Sequence, residues 1–299
     1  MPISALPLPD ADRPVLIAGP TASGKSALAM RIALDQGRLI VNADALQVHA
    51  AWRVLSARPT VADEARVPHH LYGHVPREAE YSVGHWLREV AQILKTHANP
   101  VIIGGTGLYF AALTEGLAQI PATPPEIRAE ADALLSGQGL EPLLKALDPA
   151  TLARIDTRNP ARVQRAWEVQ RATGTGLAAW QDRTGAPLLP LSRVTALVLM
   201  PERAWLNARI DQRFAAMIED GALDEARAAL PHWPDTAGTP TAPLWTRAIG
   251  APDLVAHLKH QISLPEAMDS ATLATRQYAK RQRSWFRNRM KAWQNIALP

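Results

Sequence analysis

The chain has no cysteine, which excludes a disulfide, a thiolate nucleophile and a zinc-thiolate centre and is compatible with a reducing compartment. It also lacks an internal repeat, a heptad run and a low-complexity tract. Met1 to Arg13 holds prolines and two aspartates and has neither the basic start nor the unbroken apolar stretch of a secretion signal. The expectation is a soluble, cytoplasmic protein with no membrane partner. Net charge is scarce, only +4 over 299 residues, yet Arg276 to Lys291 alone carries seven arginines and lysines and no acid. The rest is therefore net negative, and the positive charge gathers near the C-terminus, where it favours a polyanion. A solvated helical face has the same pattern. The length suits one domain of ordinary size plus a smaller one.

What is present is a phosphate-cradling loop. After the apolar run Val15 to Ala18 comes Gly19-Pro20-Thr21-Ala22-Ser23-Gly24-Lys25-Ser26, the spacing at which backbone donors surround phosphate oxygens. Lys25 supplies a positive charge, and Ser26 is positioned to ligate magnesium. Val15 to Ala18 reads as a strand and Ser26 to Gln36 as a helix. Leu39 to Val41 and Val101 to Ile103 read as further buried strands, with a helix over Val83 to His97 between them. These are βα units around a parallel sheet flanked by helices, a P-loop NTPase-like α/β core over residues 14–120. Ligands of such sheets gather beyond the carboxyl ends of the strands, where Gly19 to Ser26, Asp44 and Gly104 to Gly107 would lie.

From Pro121 the composition turns to alanine- and leucine-rich helical stretches that continue to Pro190, read as an inserted helical domain over residues 121–192. Thr195 to Met200 resumes the core, which runs over 193–299. Arg203 to Leu230 and Leu273 to Met290 read as long helices, separated by the proline-bearing stretch Pro231 to Pro243.

An ATPase would place an acid at a strand end to organise metal and water. Here Val101-Ile102-Ile103 runs into Gly104-Gly105-Thr106-Gly107 without one. Group transfer is favoured over hydrolysis. Asp44, after the second strand, is placed to orient magnesium, to take a proton from a nucleophile near the phosphate loop, or to cap a helix. His69 and His70, with no cysteine or acid cluster beside them, read as loop or buried hydrogen-bonding residues.

Taken in order, these pieces resemble the tRNA dimethylallyltransferase family, over about residues 14 to 291. The phosphate loop is followed by Asp44 with Gln47-Val48, Arg58-Pro59, His69-His70-Leu71, Tyr81-Ser82, Gly104-Gly105-Thr106-Gly107-Leu108-Tyr109, and Asn159-Pro160 with Arg162, Arg165, Ala166 and Glu168. Arg209, Arg213, Met217, Gly221, Glu225, Ala248-Ile249-Gly250 and Thr275 to Gln282 complete the series. The resemblance implies transfer of a dimethylallyl group from dimethylallyl diphosphate to N6 of adenosine 37 in tRNAs reading codons that begin with U. It implies that Gly19, Thr21, Ala22, Ser23, Gly24, Lys25 and Ser26 hold the diphosphate with Mg2+ on Ser26, and that Arg276 adds charge from the other side. Asp44 would accept the proton of the amine, Thr106 would position Asp44 or the reacting end of the donor, and Gln47 would contact the base. The insertion would close over the anticodon stem-loop, with Arg162, Gln164 and Arg165 as its RNA contacts and Lys280, Arg281 and Arg283 following the backbone from the C-terminal helix. For Arg165, pairing with Glu168 is the alternative; for Tyr278, Trp285 and Trp293, fixing the helix to the core is the alternative to stacking on bases. A monomer is expected.

The chain departs from the family pattern at Ala45, at His49, in Leu55-Ser56-Ala57-Arg58-Pro59, at Gly73 and at Ala251-Pro252. Three readings compete with the resemblance: a P-loop small-molecule kinase, a prenyltransferase acting on free adenine nucleotides, and an RNA-binding protein with a structural nucleotide. Phosphate release from ATP, transfer to AMP, and RNA binding without transfer would mark them in turn.

Overall fold

The computed structural model describes residues 6–239 and 242–298. Met1 to Ala5 of the N-terminal segment, two residues within Pro231 to Pro243, and Pro299 lie outside the described residues. Two compact units emerge, one of residues 1–114 with 189–299 and one of 115–188.

The first unit is built on a parallel sheet. Its elements are β1 (Val15–Ala18), α1 (Lys25–Gln36), β2 (Ile40–Asn42), α2 (Val61–Arg66), β3 (His69–His70), α3 (Val83–Thr96), β4 (Val101–Gly104) and α4 (Gly107–Glu115). The second unit contributes α5 (Pro125–Gln138), α6 (Glu141–Ala146), α7 (Pro149–Arg154), α8 (Pro160–Thr173) and α9 (Leu177–Asp182). The first then resumes with β5 (Thr195–Pro201), α10 (Arg203–Glu219), α11 (Ala222–Ala229), α12 (Ala251–Leu258), α13 (Leu264–Arg289) and β6 (Gln294–Leu298). Strand order is β3-β2-β4-β1-β5-β6, every pairing parallel. β1, β2 and β4 are buried on both faces, which is why they read as unbroken apolar runs rather than as alternation. Val15, Ile17, Ile32, Ile40, Val101 and Leu199 pack in one core cluster beneath them.

Three expectations change. His69 and His70 form the edge strand β3, paired to Ile40 and Val41; neither is fully buried, and His69 Nδ1 lies 2.8 Å from the Val67 carbonyl. Arg203 to Leu230 is not one helix, because Gly221 takes φ 99° and divides α10 from α11. That left-handed conformation costs glycine little and other residues more. The last helix begins at Leu264, nine residues earlier than read, where Ser263 and Glu266 form a capping box. Its buried positions Ala267, Ala271, Thr275, Ala279, Gln282 and Phe286 recur every three or four residues, so one face stays on the core for its whole length.

The second unit packs its own core of Ala131, Leu143, Leu147, Val163, Ala166 and Trp167. In it Glu168 is buried, with Arg128 and Arg165 each 3.7 Å away and Gln164 Nε2 donating to it at 3.2 Å.

Candidate active site

β1 delivers the chain into Gly19 to Ser26. Ala22 (φ 62°) and Gly24 (φ 87°) both take left-handed backbone, which folds the loop over the start of α1. Gly24 is the N-cap and offers no side chain, so the first N–H groups of α1 have no side-chain cap. A helix start in that state carries donors and the positive end of the dipole, the physical basis of a phosphate site. The buried Ser23 hydroxyl has no hydrogen-bond partner among the described residues. Lys25 Nζ lies 3.3 Å from the Pro20 carbonyl.

Asp44 is held beyond the end of β2 by short-range turns. Its N–H donates to Asn42 Oδ1 at 2.9 Å, and its Oδ1 accepts the Leu46 N–H at 3.0 Å. Thr106 Oγ1 accepts the N–H of Ala45 at 2.9 Å, tying the loop after β4 to the residue beside Asp44. The loops come this close because side chains are missing. A Cβ on Gly104 would stand 1.9 Å from the Ala43 carbonyl, and one on Gly105 would stand 2.9 Å from Asp44 Oδ2.

Lys25, Ser26, Thr21, Asp44 and Gln47 line one cavity, joined there by Arg213 and Tyr278. Burial lowers the Lys25 pKa to about 8; Asp44 opposes the shift and Arg213 adds to it. Burial likewise lowers Arg213 to about 10, again with Asp44 opposing and Arg209 adding. Arg213 Nη2 donates to Thr21 Oγ1 at 2.6 Å, and Arg209 Nε donates to the Ala22 carbonyl at 3.1 Å. Two cations and one carboxylate around an uncapped helix start leave a surplus of positive charge that suits a polyanionic ligand.

The structure brings most of the expected site together and leaves some residues elsewhere. Arg276 does not line the cavity; its guanidinium is paired with Asp211 through two hydrogen bonds. α10 turns two cations toward the loop, Arg209 and Arg213, which motif order had marked without assigning a role. Gln47 Nε2 donates to the carbonyls of Ser56 and Ala57 at 2.9 and 2.8 Å, which leaves its oxygen for another donor. Trp293 is buried in the core, whereas Tyr278 and Trp285 are half-buried. Tyr278 stands beside Thr106 and Gln282 on the cavity wall, Trp285 fills the space above Gly107, and Trp293 meets the edge of Phe110 at 5.3 Å. Lys280 and Arg281 are exposed, whereas the Arg283 Nε is buried without a partner among the described residues, and burial, with Arg287 and Arg203 adding, lowers its pKa. In the second unit Arg162 is exposed, while Arg165 bonds Thr123 at 2.5 Å and pairs with Glu168, and Gln164 bonds Asp132 at 2.7 Å. Arg213 and Gln282 stood in the motif series without an assigned role, because nothing local to either residue shows what it faces.

Two departures from the family pattern meet in space. A Cβ on Gly73 (φ 56°) would fall 1.1 Å from Arg58 Nη1, so the guanidinium occupies the place of a side chain at 73. His49 is 2% exposed, and neither ring nitrogen has a partner among the described residues. Burial, with His74 adding, lowers its pKa to about 4. The unfolded chain therefore binds more protons between about pH 6.5 and 4, so stability is complete above that window and falls as pH falls through it. At pH 5 the cost is about 2 kcal/mol. His49→Phe is expected to flatten the pH dependence of the denaturation midpoint between pH 7 and 5; an equal decline in both proteins would show that His49 is not its source.

Among the described residues no helix is long and apolar enough to cross a membrane, and no group of three histidines or acids could hold a metal ion. The P-loop core, the absence of an acid after β4 and the carboxylate opposite the phosphate loop define a group transferase that takes a phosphorylated donor. Residues 47–289 match the family model described as IPP transferase, and 13–69 match that of isopentenyl transferase. A protein of Cereibacter sphaeroides named tRNA dimethylallyltransferase is 64% identical over 98% of this chain and 99% of its own length, and one from Jannaschia sp. with the same name is 60% identical over 96% and 97%. Among solved structures, the full-length tRNA isopentenylpyrophosphate transferase of Bacillus halodurans is 27% identical with TM-score 0.66, covering 96% of this chain and 90% of that one. A eukaryotic dimethylallyltransferase acting on tRNA shares the fold at 23% identity and TM-score 0.79, over 95% of this chain and 73% of that one. The chain belongs to the tRNA dimethylallyltransferase family.

Proposed function

We propose that this protein transfers the dimethylallyl group of dimethylallyl diphosphate to N6 of adenosine 37 in tRNAs that read codons beginning with U, and releases diphosphate. The carrying observation is the placement of Asp44 in one cavity with Lys25 and Arg213, at the uncapped start of α1. The backbone from Gly19 to Gly24, with Lys25 and Arg213, takes the diphosphate and stabilises the charge that develops as the C1–O bond breaks. The N6 amine attacks C1, and its proton passes to Asp44. Thr106 holds the Asp44 loop through the Ala45 N–H, and the free oxygen of Gln47 accepts from the base.

The Ser26 hydroxyl on the cavity wall, with no metal-binding acid cluster among the described residues, fits Mg2+, an ion that takes few protein ligands and completes its shell with phosphate and water. Bound there through Ser26 and diphosphate oxygens, it would neutralise leaving-group charge. The base must leave the anticodon-loop stack to reach Asp44. Exposed Lys280, Arg281 and Arg162 are the RNA-backbone contacts in this reading, whereas the internal partners of Gln164 and Arg165 give them a structural share of the work. The protein acts in the cytoplasm as a monomer, one chain supplying every group named.

The test is magnesium-dependent transfer of a labelled prenyl group to unmodified tRNA carrying adenosines 36 to 38, with AMP and ATP assayed alongside. Label on adenosine 37 is the expected result. Label on AMP, or phosphate release from ATP without RNA labelling, would replace this reading.

A further inference from the structure

Gln282 lies on the buried face of α13, 6% exposed. Its Oε1 accepts the N–H of Thr21 in the phosphate loop at 2.9 Å, and its Nε2 donates to the carbonyl of Gly105 in the loop after β4 at 2.9 Å. The orientation of the amide is fixed by its partners, because Thr21 N–H can only donate and the Gly105 carbonyl can only accept. A Cβ on Gly105 would stand 2.3 Å from Nε2 and 2.9 Å from Asp44 Oδ2, so one bare peptide separates Gln282 from the carboxylate. Tyr278, one turn earlier, stands close to both Gln282 and Thr106, and Thr106 holds Ala45. The diphosphate loop and the Asp44 loop, which belong to different βα turns, are thus joined through one side-chain amide.

We propose that Gln282 is a positioning residue that sets the spacing between the leaving group and the proton acceptor. This rests on the reading of the site as a prenyl transferase. The reaction needs C1, held through its diphosphate, and N6, held through Asp44, at attack distance, and a misplacement of about 1 Å costs about a hundredfold in rate. Substrate affinity does not depend on that spacing, because each loop binds its own ligand. A glutamate of the same size keeps the acceptor for Thr21 but, when ionised, turns an acceptor toward the Gly105 carbonyl. When protonated it supplies both a donor and an acceptor, and burial favours its neutral form.

The test compares Gln282→Met and Gln282→Glu with the parent, in kcat and donor KM for transfer to tRNA and in tRNA Kd. For Gln282→Met, kcat should fall about 30- to 100-fold with donor KM and tRNA Kd within about threefold. For Gln282→Glu, the ratio of its kcat to the parent's at each pH should rise as pH is lowered from 8 to 6. A Met variant with parental kcat, or one whose loss sits in donor KM, overturns the proposal. Should the Met variant fail to fold, the Glu ratio decides, and a ratio flat with pH overturns it. An active parent with unaffected variants removes only the role of Gln282, whereas a folded parent without transfer removes the functional reading and this proposal together.

Discussion

Asp44→Asn is expected to slow prenyl transfer by about three orders of magnitude, the span covered by loss of a positioned general base, while tRNA affinity stays within about threefold. The substitution is nearly isosteric. An asparagine oxygen accepts the Leu46 N–H as Asp44 Oδ1 does, and the backbone bond to Asn42 and the Thr106–Ala45 bond do not involve the side chain. What the amide cannot do is accept the proton released from N6. The loss therefore sits in kcat, measured in single turnover with both substrates saturating. A variant that transfers at the parental rate would show that another group, or water, takes the proton.

The second large effect concerns the donor. The Lys25 pKa of about 8 means that its charge is lost within an accessible range. Diphosphate binds the protonated form, so donor affinity should hold below pH 8 and fall by close to tenfold per unit above it, as the protonated fraction falls. Lys25→Met should lower donor affinity about a hundredfold at pH 7, in the range of a buried charge-assisted contact, and abolish the slope above pH 8. Arg213, whose pKa of about 10 lies beyond this window, keeps its charge throughout and cannot produce the inflection. Calorimetric titration of the donor from pH 7 to 9 measures both. An inflection that survives in Lys25→Met would assign it to another group.

How much of this was legible in the sequence depends on how far apart the participants lie. β1, its loop and α1 are contiguous, and each carries its own signal: a fully buried strand, glycines at fixed offsets, a lysine and serine at the helix start. β3 and β6 carried none. Two half-buried histidines are too short for a period, and Gln294 to Leu298 is an edge strand with three exposed residues, so its alternation is weak. The basic run drew attention to Arg276, yet the helix packing turns it onto Asp211 and presents Arg213 from α10 instead. Thr21 and Gln282 stand 261 positions apart; only tertiary packing makes them neighbours. Gly221 stood in plain view inside a helical pattern, and its left-handed backbone ended the helix there.

The order of the strands also dictates how the molecule must be made. β1 lies between β4 and β5, and Val15 is in register with both Val101 and Thr195. During synthesis at about 5–20 residues per second, the β5 side of β1 stays without a partner for roughly ten to forty seconds while the intervening chain emerges. The α13 amide that joins the two reacting loops arrives later still. A nascent chain therefore exposes an unpaired central strand well before it can close its catalytic centre, which makes it a natural client for holding chaperones and makes truncation before β5 a route to aggregation.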